Sequence, residues 1–317
     1  MKLTELGGEG ALIRRIARRP RAEEVMVGIG DDCAVVRIDG ERLHLLTVDM
    51  LVEGDHFSRT YFTPHDIGLK AMESNVSDIA AMGGRVLYGL LSICLPGDTT
   101  VSFFDELYRG LYDVADRYGF DIIGGDTTHG QQVIISVTLV GETDASRLRL
   151  RSMAGPGDLI AVSGPLGGAM AGLRLLQNGV EGHADVKRHH TSPRCDMDRL
   201  DRIVPIAKAM EDVSDGLASE VHNICRASGV GARLHSEQIP LCDAIRETAA
   251  LLGDDPLEYA LFGGEDFKLV YTVSPNDESR VCGTVVGEII EGDSVFLDGQ
   301  RLTRSGYDHF TGSRTIP

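Results

Sequence analysis

Apolar positions recur along the chain at two spacings, the helical and the strand period, and the two alternate from end to end. Residues 9–19 interleave apolar and basic side chains at helical spacing, and Pro20 ends that run. Residues 43–49, LHLLTVD, predict a strand ending on Asp49. Thr63-Pro64 pairs an N-cap residue with proline at the first helical position, so a helix is predicted to about Met82, stopped by Gly83-Gly84. A strand over 86–95 and an amphipathic helix over 101–118 follow. GFDIIGGD (119–126) reads as a short strand running into a glycine turn, and VIISVTLVG (133–141) as a strong strand.

The segment ETDASRLRLRSMAGPGD (142–158) breaks this rhythm with polar residues and Gly155-Pro156-Gly157. It sets the expected domain boundary near residue 148, with one unit over 1–148 and the other over 149–317. DLIAVSGPLGGAMAGLRLLQNG (158–179) then restarts strand, glycine turn and helix, and EGHADVKRHHTSP (181–193) looks like a polar surface excursion. AKAMEDVSDGLASEVHNICRASG (207–229) predicts a strand edge entering a helix, and residues 258–273 a glycine turn into a strand. The tail alternates short strands and turns. Strands and helices interleave in both halves, which predicts an α/β (α+β) protein of two domains.

Composition narrows the picture. The chain has 317 residues, 42% hydrophobic, enough for two units that each bury a core. Tryptophan is absent and aromatics are 5%, so the cores must be aliphatic. A net charge of −17 argues against nucleic acid as a partner, because duplex binding needs a basic face. An anionic ligand would require cations supplied locally, and metal ions are the obvious source. The six cysteines form no CxxC pair and most sit among apolar residues, which predicts reduced, mainly buried thiols and a cytoplasmic protein. No stretch reaches 18 apolar residues and the first twenty lack an apolar core, so neither a membrane span nor a signal peptide is expected.

Against that background the acidic residues stand out by position. Asp31-Asp32, Asp49, Asp78, Asp126, Asp212, Asp215 and Glu265-Asp266 fall at element ends, among Gly, Ser, Thr and apolar residues rather than in charge runs. Each alone fits a turn or a helix cap. As a set they fit convergence on hard divalent cations, since Mg2+ takes oxygen ligands from a few carboxylates and from phosphates. The glycine turns in GGDTT and SGPLGG offer backbone N–H groups of the kind that cradle phosphate at a helix start. GxxxxGK[ST], GxGxxG and the HRD and DFG kinase signatures are absent. His189-His190 with Cys195 fits no standard zinc spacing and reads as surface loop. Ser163 lacks a GxSxG elbow, and Cys33 beside two aspartates is a poor nucleophile.

GIGDDCAVV, TVDMLVEGDHF, LKAMESNVSDIAAMGG, GFDIIGGDTT, DVSDGLASEVHNICRASGVGA and LFGGEDFKLVYTV occur in that order. This ordered set resembles the thiamine-monophosphate kinase family, within the superfamily of aminoimidazole ribonucleotide synthetase, selenophosphate synthetase and a hydrogenase-maturation protein. The likeness runs to Gly306-Tyr307-Asp308-His309-Phe310 and is weakest over 175–200. No reactive Cys near a Lys precedes Gly28, unlike selenophosphate synthetases. The chain ends Thr315-Ile316-Pro317, whereas the hydrogenase-maturation relative ends on cysteine.

The resemblance implies an N-terminal α/β domain whose sheet pairs with that of a second subunit to form a barrel across a homodimer. It implies a C-terminal α+β domain closing over a cleft, with ATP and several Mg2+ ions between the domains. Asp32, Thr47, Asp49, Asp78, Asp126, Asp212 and Asp215 resemble the metal ligands. Gly125, Asp126, Arg151, Ser214 and Tyr108 resemble the nucleotide contacts, and His56, Glu265 and Tyr307 the substrate-side residues. Asp31 is either an outer partner of the metal site or a turn residue. Val48 stands where the family usually has a hydroxyl residue, so a side-chain contact at that position is lost. The implied reaction is ATP- and Mg2+-dependent phosphorylation of thiamine monophosphate to thiamine diphosphate. Two alternatives remain open from the residues alone: an ATP-dependent synthetase acting on a purine precursor, and a nucleotide-binding scaffold without turnover.

Overall fold

The computed structural model describes residues 8–310; residues 1–7 and 311–317, including the Thr315-Ile316-Pro317 end, lie outside the described residues. The first half of the chain runs α1 (Glu9–Ile16), β1 (Val25–Val27), β2 (Ala34–Asp39), β3 (Arg42–Val52), α2 (Pro64–Ala81), β4 (Arg85–Leu95), α3 (Val101–Tyr118), β5 (Asp121–His129) and β6 (Ile134–Asp144). Six strands form one sheet in the order β1-β2-β3-β6-β4-β5, antiparallel except for the β4–β5 pair.

The Thr63 hydroxyl accepts the Asp66 N–H at 3.1 Å and caps α2, as Thr63-Pro64 predicts. Likewise Thr100 caps α3, and Gly119 ends it in the left-handed conformation. These two helices cover one face of the sheet. Leu45, Leu91, Ile93, Val137 and Leu139 from the strands pack against Ile67, Met72 and Ile79 of α2 and Leu107 and Leu111 of α3. The core is mainly aliphatic, as the composition suggests, with Phe57, Phe62 and Phe120 among its aromatic members.

The second half runs β7 (Leu159–Val162), α4 (Gly168–Gln177), α5 (Ala184–Thr191), α6 (Leu200–Ile203), β8 (Ala207–Asp212), α7 (Leu217–Ser228), β9 (Gly231–Leu234), α8 (Asp243–Leu252), α9 (Pro256–Phe262), β10 (Leu269–Val273), β11 (Thr284–Ile290), β12 (Val295–Leu297) and β13 (Gln300–Arg301). Seven strands form a sheet in the order β13-β12-β9-β11-β7-β10-β8, with β12–β9 its parallel pair. The two sheets make a two-domain α/β fold. A shared cluster joins them: Ala80 and Ala81 at the end of α2 pack with Ile203, Met210, Leu269 and Tyr271.

One local expectation fails and another is refined. The glycines of GGDTT form no turn, because β5 runs straight through them, with Gly125 opposite Leu91 and Asp126 opposite Ser92 on β4. Gly125 has φ 156°, and a Cβ there would lie 1.8 Å from the Leu91 carbonyl oxygen, so a close strand approach demands the glycine. The 181–193 segment does lie at the surface, with residues 181–185, 188 and 189 exposed, but it is not an irregular excursion. It folds into α5, which packs on α4 and buries His190. The helices α8 and α9 carry turns of structure that the apolar pattern did not announce. Among the described residues the cysteines are free, with Cys33, Cys195, Cys225 and Cys282 buried. None of the described helices is long and apolar enough to cross a membrane.

Candidate active site

Asp32 converges with two other carboxylates in the interior. One ligand oxygen each from Asp32, Asp78 and Asp212 lies within 4.8 Å of the others. Asp32 enters from the loop before β2, Asp78 from the C-terminal half of α2, and Asp212 from the end of β8. The centre is therefore assembled from both domains. Thr47, on the inward face of β3, donates its hydroxyl proton to Asp78 Oδ2. Ser77 donates to Asp212 Oδ2 at 2.7 Å, across the domain junction. Asn75 fixes β3 here, its side-chain oxygen accepting the Asp49 N–H at 3.0 Å.

Burial is the main electrostatic fact at this centre. It pushes the carboxyls of Asp32, Asp78 and Asp212 above the usual range, and the neighbouring aspartates push Asp78 and Asp212 further. Asp31 is raised to about 7 by burial and by Asp32, against the pull of Arg151. Asp49 is raised by burial and then by Asp32. Arg151 is the local counter-charge. Its guanidinium pairs with Asp32, lies 3.0 Å from Glu211 Oε1, and its main-chain N–H reaches Asp31 Oδ2 at 3.2 Å. One cation does not balance this many carboxylates. The buried oxygens Asp32 Oδ2, Glu211 Oε2 and Glu220 Oε2 meet no hydrogen-bond partner among the described residues. An oxygen-only donor set with an orphaned, buried carboxylate oxygen fits a hard divalent cation.

Beside this centre lies a cavity of about 630 Å³, lined by Asp49, His56, Lys70, Ser214, Asp215, Glu265, Tyr307 and His309 among others. It gathers His56, Glu265 and Tyr307, the three residues expected on the substrate side. His56 Nδ1 accepts the Val52 N–H at 3.1 Å, so the proton of the neutral ring sits on Nε2. Burial lowers the His56 pKa and favours that neutral form, although Glu265 opposes it. Asp55, His56 and His309 also lie close enough to hold a metal. The Val52 contact occupies the Nδ1 lone pair of His56, so the geometry favours a hydrogen-bonding cluster. The Tyr307 hydroxyl donates to Asp55 Oδ1 at 3.1 Å, and Tyr307 N–H to the Asp215 carbonyl at 3.0 Å, which ties the C-terminal segment to both domains. Glu265 sits at φ 60°, and its N–H donates to the Ser214 carbonyl at 2.8 Å.

Other expected residues fall elsewhere. Asp126 and Gly125 lie on β5, at the sheet edge and apart from the Asp32–Asp78–Asp212 cluster. Tyr108 belongs to an aromatic row on α3, its ring centroid 4.5 Å from Phe104 and 6.1 Å from Tyr112. Asp215 lines the cavity rather than the cluster, and its N–H donates to Glu220 Oε1 at 2.7 Å. Val48 points to the outer face of β3 with Leu46 and Met50, opposite to Thr47. The phosphate cradle expected at SGPLGG is already filled from within. Gly167 N–H and Ala169 N–H donate to the two oxygens of Asp266 at 2.5 and 3.0 Å. Glu211, Glu220 and Lys70 escaped the sequence reading. A signal existed for Lys70, an ammonium inside the mostly apolar run from Ile67 to Met82.

Comparison with known proteins agrees with this architecture. Residues 30–143 match the family AIR synthase related protein, N-terminal domain, and residues 155–297 match AIR synthase related protein, C-terminal domain. Fold and carboxylate centre thus define a member of the AIR synthase-related superfamily. Within it, the chain is similar to the thiamine-monophosphate kinase of Aquifex aeolicus, 37% identical over 98% of this chain and 100% of that one. It is also similar to that of Bacillus subtilis, 38% identical over 90% of this chain and 94% of that one. The chain belongs to the thiamine-monophosphate kinase family, a family of phosphotransferases. A solved structure of AaThiL complexed with AMPPCP and TMP superposes with TM-score 0.90 at 36% identity, covering 98% of this chain and 99% of that one. The hydrogenase maturation protein HypE in complex with ATP shares the fold, with TM-score 0.68 at 20% identity over 86% of this chain and 87% of that one.

Proposed function

We propose that this enzyme moves the γ-phosphoryl group of ATP directly and in line onto the phosphate of thiamine monophosphate. A phosphate oxygen of the acceptor bonds to the γ-phosphorus. The bond to the β–γ bridging oxygen breaks, and ADP leaves with the electron pair, giving thiamine diphosphate. The observation that carries this reading is the buried Asp32–Asp78–Asp212 centre, its oxygens within 4.8 Å, next to the cavity that Asp49 lines.

The acceptor oxygen is already ionised near neutral pH, so no side chain has to remove a proton. The obstacle is repulsion between two anions. At about 4 Å and an effective dielectric of about 20, each pair of unit charges costs on the order of 4 kcal/mol. Asp32, Asp78 and Asp212 would hold divalent cations, with Asp49, Thr47, Asp126 and Asp215 assigned as further ligands by family likeness. Mg2+ ions bound there would offset phosphate charge and align the reacting oxygens.

The chain's own groups do the rest. Arg151, oriented by Asp31, Asp32 and Glu211, sets a guanidinium beside the centre for a nucleotide phosphate. Gly125, Asp126, Ser214 and Tyr108 are assigned to the nucleotide. His56 offers its Nε2 proton to the acceptor, Tyr307 a ring face, and Glu265 a carboxylate toward the thiamine rings.

The working form is a homodimer in this reading. Leu46, Val48 and Met50 of β3, Leu90 of β4 and Ile123 of β5 are exposed on the first sheet, an apolar surface suited to a second subunit's sheet. The domain boundary belongs near residue 148, between β6 and β7.

Incubating the protein with ATP, Mg2+ and thiamine monophosphate tests the function. Thiamine diphosphate should appear by chromatography and vanish when Mg2+ is chelated. ATP bound without product would overturn the reading.

A further inference from the structure

The Lys70 side chain is 1% exposed, yet it ends in a charge. Its Nζ lies 2.7 Å from Glu265 Oε1 and donates to the main-chain carbonyl of His56 at 2.9 Å. It also stands 5.4 Å from the centre of the Phe62 ring. The other Glu265 oxygen, Oε2, lies 3.3 Å from Nδ1 of the buried His190. Thus one ammonium on α2 grips two segments at once. One is the loop after β3 that carries His56. The other is the turn before β10 that carries Glu265 at φ 60°. These segments come from different domains, and both line the same cavity as Lys70.

A buried charge is costly unless paired, and breaking such a pair leaves the partner uncompensated. A helix whose only task was to pack would carry an apolar residue at this position, as at its neighbours Ala71 and Met72. The ammonium also anchors Glu265, whose side chain meets the cavity already half of an ion pair. A cationic ring entering the cavity therefore meets a fixed, oriented carboxylate rather than a mobile one. Fixed dipoles and charges recognise a ligand without having to be ordered first.

We propose that Lys70 is a positioning residue of the acceptor site, holding the Glu265 carboxylate and the His56 loop in register across the two domains. This rests on the reading of the cavity as the thiamine monophosphate site. Lys70 acts through Glu265 and His56 on acceptor binding and leaves the nucleotide side alone.

The test is steady-state kinetics on the full-length enzyme with Lys70→Met, Lys70→Arg, Glu265→Gln and the Lys70→Met/Glu265→Gln double variant. Lys70→Met should raise KM for thiamine monophosphate about tenfold or more, with KM for ATP unchanged, the signature of lost acceptor binding. Lys70→Arg should recover part of that loss. The double variant should cost no more than Lys70→Met alone, because the two side chains act as a unit. If Lys70→Met fails to fold, Lys70→Gln, which keeps Glu265 intact and retains a donor for the His56 carbonyl, carries the same KM measurement. An unchanged KM for thiamine monophosphate in a folded variant, an equal rise in both KM values, or full additivity of the two substitutions overturns the proposal. If the wild-type enzyme makes no thiamine diphosphate, the functional reading has failed on its own. The ion pair is then judged by a melting-temperature cycle over the same four variants, where additive shifts overturn it.

Discussion

Ser77 on α2 donates a hydrogen bond to Asp212 Oδ2 on β8 at 2.7 Å, so a hydroxyl from one domain orients a carboxylate of the other inside the candidate metal centre. Both residues are buried. The contact makes the alignment of the two domains part of the centre itself. Ser77→Ala should therefore lower stability by about 1–3 kcal/mol, the cost of a buried acceptor left without its donor. It should also raise the Mg2+ concentration needed for half-maximal turnover. Thermal melting and a Mg2+ titration of activity check the two effects, and an unchanged Mg2+ requirement would separate Ser77 from the centre.

Asp78 is raised by burial, by Asp49, by Asp212 and by Asp32, in that order. Removing its charge relieves repulsion but removes a ligand. Asp78→Asn should melt at a higher temperature than wild type in chelator and gain less from added Mg2+. Its turnover at limiting Mg2+ should fall at least about 100-fold, the scale expected when a metal that stabilises the transferring phosphoryl is lost. A variant with the full Mg2+-dependent rise in melting temperature would remove Asp78 from the ligand set.

Asp266 links the turn at Gly167 to the segment carrying Glu265, and burial raises its pKa to about 6 despite the backbone donors of Ala169 and Gly167. The sign follows from the protonated form being favoured in the fold. Its contribution is fully present below the unfolded value of 3.8 and is lost as pH rises through about 6. Asp266→Asn imitates the protonated form. Its stability relative to wild type should therefore improve by roughly 2 kcal/mol between pH 4 and pH 7. Denaturant melts of both proteins across that range read the difference directly, and a constant difference would contradict the expectation.

Val48 is 61% exposed on the outer face of β3, beside Leu46 and Met50. Val48→Asp would set a charge in the middle of the proposed subunit interface without touching Thr47 on the opposite face. Light scattering should show a monomer where wild type is a dimer. A wild-type monomer, or a dimer indifferent to the substitution, would place the interface elsewhere.

Much of the chain is legible before folding. The strand on LHLLTVD and the helix from Thr63-Pro64 to Gly83 follow from local rules: side-chain period, capping and the backbone limits of proline and glycine. The acidic residues at element ends mark the centre for the same reason, because Asp32, Asp78 and Asp212 each sit where an apolar pattern has no use for charge. What the local pattern does not carry is conformation set by a distant neighbour. Gly124-Gly125 states only that the backbone is permissive. The carbonyl of Leu91, on a neighbouring strand, decides that the pair lies in a strand and not a turn.

The same limit explains the rest. In EGHADVKRHHTSP, polarity places most of the segment at the surface, but His190 is buried beside Phe62 and Glu265, which lie far away along the chain. The donors at SGPLGG look available until Asp266 fills them. Lys70 reads as one polar residue in a helix until Glu265 and His56 arrive beside it. The sequence by itself determined most of the elements of the first half, the mainly aliphatic character of the cores and the identity of the charged groups, since these depend on near neighbours and composition. The tertiary structure alone decided which charges share a site, because pairing across two domains depends on contacts between residues that no local pattern links.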